Sequence, residues 1–373
     1  MMRVTTNSTL YTYQKNLLKT TNQLYAAMNT MMTGRNFDSY AADPASATRA
    51  FKIHSSLNAT NTQYANNTTV LNKFSTAWDV ADDMIDKLTN DLAKAPILKA
   101  LNKTNLSTAN TQGDIIYSGA EAMIQSLNSR YDNSFLFNGA DSDNPPFALE
   151  TEGGKTYVTY RGVRIDDPVE LAQEYKDENG NPVPKDPNDP VAGNYTNSEM
   201  LKKWSDEHVY VDIGIGFALD ENGNVLDSTA FDAAISGTEL IGGYGLDADG
   251  DPTNIVSIMV RLSEIFKGYD EEKMTWGPAG DQEDAERLLN KFNAAQEKLS
   301  AQHVALDTQS KYLETNKTQL ESTFSSLNNE LVSIEKVDQT EAILALVSMQ
   351  TSFNAALQVG ANVVPQSLMD YLS

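Results

Sequence analysis

Few side chains in this sequence could do chemistry by type and spacing. Asp247, Asp249 and Asp251 alternate as the ligands of a calcium loop do, because a hard cation gathers several carboxylate oxygens from one tight turn. The glycine of that turn falls at Gly250, two positions too early, and Ile258 stands where a bidentate glutamate would complete the shell. The stretch therefore reads as an acidic turn, at most a weak cation site. Gly153-Gly154-Lys155-Thr156 ends like a phosphate-binding loop, but Leu149 occupies the place of the loop's first glycine. The residues after Thr156 alternate as a strand does rather than starting a helix, so a hairpin turn is the better reading. His54, His208 and His303 are the only histidines, they lie on three separate segments, and there is no cysteine. A zinc site or a Cys/His nucleophile is thereby nearly excluded, and no nucleophile elbow accompanies the serines. No catalytic residue, cofactor site or metal site is expected.

Composition narrows the classes further. The chain has 373 residues and a net charge of −23, long enough for two or three domains. Residues 141–250 hold 23 acidic against 7 basic residues, a self-repelling, solvated surface. Without a basic stripe to displace counterions, nucleic acid is not an expected partner. The longest unbroken apolar run, residues 342–347, is far short of the roughly 20 residues a membrane crossing needs, so membrane insertion is not expected. The start, Met1-Met2-Arg3-Val4-Thr5-Thr6-Asn7, has no apolar core for a secretory signal. Any export would use a route without a cleaved signal peptide.

The elements that must carry function are long helices at both ends. Leu10, Leu17, Leu24 and Met31 recur every seven residues, with Tyr13, Thr20 and Ala27 on the alternate position. A second series runs Leu57, Tyr64, Leu71, Trp78, Ile85, Leu92 with Ile53, Thr60, Phe74, Ala81 and Leu88 beside it, and a third Leu306, Leu313, Leu320, Leu327, Ile334 with Phe324 and Leu331 beside it. A strict seven-residue apolar repeat forces a helix to wrap along a partner. Past Ile334 the register jumps through residues 337–341, and a new stripe begins at Ile343, Leu346, Val347, Gln350, Phe353 and Leu357. Residues 1–40 carry four basic residues against Asp38, whereas residues 321–373 carry six acidic residues against Lys336. Opposite charge favours pairing of the two ends.

Gly34 should stop the first helix. Asp43 and Pro44 should start the second as cap and first-turn residue, with Pro96 interrupting it after Lys94. A third helix is expected over 101–133. Between 141 and 250, glycines and prolines break any helical period, and alternating runs at 157–165 and 209–219 predict strands, with a hairpin turn at 220–225. Helix should resume over 254–266 and again from 281. The expected fold is mainly α with a β-rich insert, long terminal helices forming coiled-coil and helical-bundle layers around an outer β domain.

Both ends resemble a known family. The start Met2-Arg3-Val4-Thr5-Thr6-Asn7, the segment Met32-Thr33-Gly34-Arg35-Asn36, the helix start Ala42-Asp43-Pro44-Ala45 and Phe135-Leu136-Phe137-Asn138-Gly139 are similar to the flagellin family, with Thr33 and Phe37 as departures. Val337-Asp338-Gln339-Thr340-Glu341-Ala342, Ala355-Ala356-Leu357-Gln358-Val359 and Gln366-Ser367-Leu368-Met369-Asp370-Tyr371-Leu372 look like its hook-associated branch. The resemblance covers about residues 1–140 and 255–373. It implies an inner coiled-coil layer from 1–40 and 330–373, poorly ordered in the free subunit. A helical layer from 41–140 and 251–329 and an acidic outer β domain from 141–250 would complete the subunit. It further implies a structural, non-enzymatic protein of the extracellular bacterial flagellum, exported by the flagellar type III apparatus with a chaperone. A ring of copies would join hook to filament, touching a hook-side junction protein and flagellin. Filament flagellin is the alternative, and an enzyme or adhesin seated in 141–250 a distant third. Assembly contacts would come from Leu10, Leu17, Leu24, Met31, Leu327, Ile334, Ile343, Leu346, Val347, Phe353, Leu357, Leu368 and Tyr371.

Overall fold

The computed structural model describes residues 6–37, 39, 41–102, 108–141, 144–167, 172–173, 195–216, 218–221, 223, 225–226 and 229–363. Its helices are α1 (Thr6–Thr33), α2 (Pro44–Asp83), α3 (Ala95–Ala100), α4 (Ala109–Leu127), α5 (Asn197–Ser205), α6 (Gly237–Leu240), α7 (Ile255–Lys267), α8 (Gln282–Glu335) and α9 (Gln339–Val363). A π-helical segment, Met84–Lys94, joins α2 to α3. The strands are β1 (Arg130–Tyr131), β2 (Ser134–Phe135), β3 (Phe147–Glu152), β4 (Lys155–Tyr160), β5 (Val163–Arg164), β6 (Ala172–Gln173), β7 (Tyr195–Thr196), β8 (Tyr210–Val211) and β9 (Phe231–Asp232). The fold is mainly α with a β-rich insert, as the sequence predicts. The chain divides into two compact units, one of residues 1–62 and 320–373, the other of residues 63–319.

The terminal unit is built on two helix breaks that meet. Gly34, with φ at +66°, ends α1 and donates its N–H to Thr30 O, the left-handed stop that glycine adopts without a Cβ penalty. The register jump after Ile334 is the second break, between α8 and α9, where Asp338 accepts from Thr340 N and caps α9. Arg35 and Lys336 form an antiparallel bridge. Asn36 N donates to Glu335 O at 2.8 Å and Val337 N to Gly34 O at 3.1 Å, while the Asn36 amide reaches Ile334 O and Lys336 O. This clasp sends α1 in and α9 out side by side, so the two run antiparallel. A small core of Ala50, Ile53, Leu57 and Leu331, joined by Phe37, Leu327 and Ile334, packs α2 against α8 beside it.

In the larger unit one continuous core joins the helices to the insert. The glycines of α4 make close approach possible: a Cβ on Gly119 would stand 2.9 Å from Leu92 Cβ and 3.0 Å from Met259 Cε. The π-helical segment and α7 thus both press on α4. The insert's main sheet is the antiparallel β3–β4–β5 meander. Gly153 and Gly154, both at positive φ, turn β3 into β4, so the Gly-Gly-Lys-Thr stretch is a hairpin tip as predicted.

Four expectations need correction. Pro96 does not interrupt the second helix, because the widened π turns deliver the chain to α3 with Pro96 in its first turn, where the missing N–H has no intrahelical role. The helix expected over 101–133 is shorter, with α4 ending at Leu127. The run at 209–219 is not one strand: it gives the two-residue β8, is broken where Gly214 and Gly216 take positive φ, and resumes as a single antiparallel Leu219–Val225 bridge around the expected turn. Phe324, assigned to the α8 seam, is exposed, whereas the buried stripe of α2 in this unit takes the seam residues Phe74 and Ala81 together with Asn67, Val70 and Ala77, and Leu71 and Trp78 are partly buried against the same core. Asn67 is the reason a polar residue sits in that stripe: its amide donates to Leu313 O at 2.9 Å and accepts from Asn316 Nδ2 at 3.1 Å. A Gly119→Val chain should lose about 1–3 kcal/mol in denaturant unfolding, as overpacking does in tight interiors; an unchanged midpoint would show that α4 has slack.

Candidate assembly surface

Each terminal helix presents more apolar surface than its partner covers. On α1 the predicted heptad positions Leu10, Tyr13, Leu17, Thr20, Leu24 and Ala27 are half-buried, with Thr21 and Thr30, and α1 packs on α9. On α9 the matching seam is Ala342, Leu346, Met349, Phe353, Ala356 and Gly360, alternating four and three residues apart as a heptad seam does. Gly360 lies under the Tyr13 ring, leaving no room for a Cβ. Of the residues assigned to assembly, Leu10, Leu17, Leu24, Leu346 and Phe353 thus line the intramolecular seam. Leu327 and Ile334 belong to the small α2–α8 core. Leu368 and Tyr371 lie outside the described residues.

Ile343, Val347 and Leu357 are different. They are 46–53% exposed and sit one position on from Ala342, Leu346 and Ala356. One residue turns a helix by about 100°, so they form a second stripe facing away from α1. A matching stripe on α1 escapes the heptad reading of the sequence: Tyr11, Leu18, Tyr25 and Met32, again seven apart and 63–81% exposed. Met28 and Met31 lie partly open beside it. The sequence signal for this stripe is present, because its spacing equals that of Leu10, Leu17 and Leu24, but the stronger leucine series masks it. Each terminal helix is thus apolar on two flanks, of which the other covers one.

The charge expectation fares less well. Among the described residues no ion pair joins α1 to α9. Lys15 and Lys19 stand mid-helix on α1, while the only acid of α9, Glu341, is at the clasp end. The apolar seam holds the pair. The residues Gln339–Ala361 are also long and apolar enough, by length and composition, to cross a membrane, and little of that stretch is buried. Counting only unbroken apolar runs passes it over. Its apolar residues keep a heptad register against α1, the pattern of helix packing.

The acidic turn is filled from within. Lys291 Nζ of α8 lies 2.6 Å from Asp247, 2.8 Å from Asp249 and 2.7 Å from Asp251, and Arg287 reaches Asp251 at 2.8 Å. A cation is thus supplied by the chain itself. Burial raises the Asp251 carboxyl, but hydrogen bonds from Arg287 and Lys291 outweigh it and hold the group below the usual range. The same balance of desolvation against three carboxylates holds the Lys291 ammonium above its usual range. Asp166, buried beside β4, goes the other way: burial pushes it up to about 6, against the hydrogen bond it accepts from Val158 N at 3.2 Å.

Two pH signatures result from these signs. A carboxyl with a depressed folded pKa stabilises the fold above its unfolded pKa and loses that contribution as pH falls through the folded value. Lys291→Gln should therefore lower Tm by a few degrees at pH 7, with the deficit shrinking as pH drops below about 4. A deficit that persists at low pH would mean lost packing instead. Asp166 has a raised pKa, so its ionisation costs stability as pH climbs from about 4 to 6. Asp166→Asn should raise Tm at pH 8 and leave it unchanged at pH 4; the reverse order would contradict the burial account.

Known proteins resemble this chain in fold rather than in sequence. No profile of a known protein family matches the sequence, and no curated protein does. Solved structures do match. A flagellar hook-associated protein from Vibrio parahaemolyticus aligns with a TM-score of 0.50 at 12% identity, over 79% of this chain and all of that one. Bacillus cereus FlgL aligns at 0.41 and 16% identity, over 75% and 99%. Flagellar hook-associated protein 3 from Legionella pneumophila aligns at 0.44 and 13%, over 76% and 98%. The first of these likenesses shows the fold: this chain is folded as a flagellar hook-associated protein is.

Proposed function

We propose that the chain is a structural subunit of the bacterial flagellum, a junction protein that joins hook to filament through its terminal helices. The observation that carries this reading is the second apolar stripe on α1 and α9. One subunit buries only one seam of each helix, so the remaining stripes require neighbouring subunits, and a ring of like copies supplies them. The likeness of fold to a hook-associated protein favours the junction over other helical assemblies. The filament subunit is the alternative, since it would use the same terminal helices and differ in growing without limit.

In this reading residues 1–40 and 330–373 make an inner layer, residues 41–140 and 251–329 a helical middle layer, and residues 141–250 the acidic face toward solvent. The role is mechanical rather than enzymatic. The subunit travels through the flagellar type III apparatus with a chaperone and ends outside the cell, between a hook-side junction protein and flagellin. Apolar stripes without neighbours also favour loosening of the terminal helices in the free subunit, on which amide exchange bears directly.

Electron microscopy of the purified chain with filament seeds tests the assignment. Subunits that bind seed ends without elongating them fit a junction protein, whereas long filaments of this chain would replace that reading with the flagellin one. The two stripes also predict separable mutants. Leu18→Asp and Val347→Asp should leave the helix content and Tm of the free chain within experimental scatter yet abolish binding to seed ends. Leu346→Asp, on the intramolecular seam, should in addition strip amide protection from α1 and α9. Normal end-binding by Leu18→Asp would remove the stripe from the mechanism.

A further inference from the structure

The tip of the β3–β4 hairpin and one side of α7 enclose an open cleft of about 790 Å³ within the larger unit. Three cations line it: Lys155 from the hairpin, and Arg261 and Lys267 from α7. The single acid in its wall, Glu264, is engaged by the backbone N–H of Thr156 at 2.9 Å. Lys267 is shared between Asp114 at 2.9 Å and the face of Tyr117 at 4.6 Å. Lys155 lies 4.8 Å over the Tyr157 ring. A wall this basic runs against a chain of net charge −23.

Cations gathered around one opening repel each other, and an anion between them removes that repulsion while gaining charge-assisted hydrogen bonds. The cleft also offers bare backbone at the hairpin tip and an apolar side. Gly153 and Gly154 leave open space where side chains would stand, so a ligand can approach the hairpin backbone closely. Tyr117 and Pro278 supply the apolar part of the lining.

We propose that this cleft binds a small organic oxyanion, a carboxylate or phosphate ester, with the charged group between Lys155 and Arg261 and the apolar part against Tyr117 and Pro278. Nothing in the assembly of the terminal helices calls for such a site, and it lies in the other unit.

Phenyl phosphate and benzoate, titrated calorimetrically into the full chain at fixed ionic strength, test it. At least one should give saturable heat; phosphate alone, carboxylate alone or both would identify which oxyanion the cleft takes. Lys155→Gln and Arg261→Gln should each weaken binding about tenfold, the expected loss for one charged hydrogen bond, with circular dichroism unchanged. Lys99→Gln, which removes an exposed cation elsewhere in the same unit, should change it less than about twofold. No saturable heat from either probe, or an equal loss in the Lys99 variant, would overturn the proposal.

Discussion

The terminal unit depends on the clasp between its two helix breaks. Gly34 and the 336–338 turn occur at the same level, and the hydrogen bonds between them fix where α1 ends relative to where α9 begins. Once that point is set, an antiparallel heptad pair has a single register, and Leu17, Leu24, Leu346 and Phe353 fall on the shared seam without further adjustment. Tyr13 meeting Gly360 at the far end is the consequence of that register carried along the helices. Apolar packing supplies the stability; the clasp decides which apolar residues meet.

The same geometry leaves the second stripes outward. Tyr11, Leu18, Tyr25 and Met32 cannot turn inward while Leu10, Leu17 and Leu24 do, because one residue of offset rotates the side chain by about 100°. The isolated subunit therefore carries apolar surface it cannot bury, the usual mark of a surface made to meet another protein. The larger unit is organised differently. Its helices and insert share one core, its acidic turn is neutralised by its own Lys291, and buried Asn67 is bonded to the α8 backbone at Leu313.

Much of this is legible in the sequence because its determinants are local. Gly34, Asp43-Pro44 and the heptad leucines act within a few residues, and each marks an element boundary or a face. The calcium-like spacing of Asp247, Asp249 and Asp251 also reads for what it is, although the lysine that fills it lies some forty residues away and no local pattern points to it. The misses share a cause. Pro96 reads by its usual effect on an α-helix, and a π turn removes that effect. Val347 and Leu357 fall on one stripe with Leu346 and Phe353 in the sequence, since a list of apolar positions does not say which of two adjacent stripes a partner takes. The run at 209–219 alternates as a strand should, but two glycines in left-handed geometry override the alternation.

The central claim is that the outward stripes bind neighbouring subunits. The chain has no cysteine, so single cysteines placed on those stripes report on it directly. Leu18→Cys and Val347→Cys chains, assembled on filament ends and then oxidised, should form disulfides between subunits, whereas the same chains free in solution should not. Assembled material that yields no intersubunit disulfide from either position, while cysteines placed on the insert do cross-link, would contradict the account.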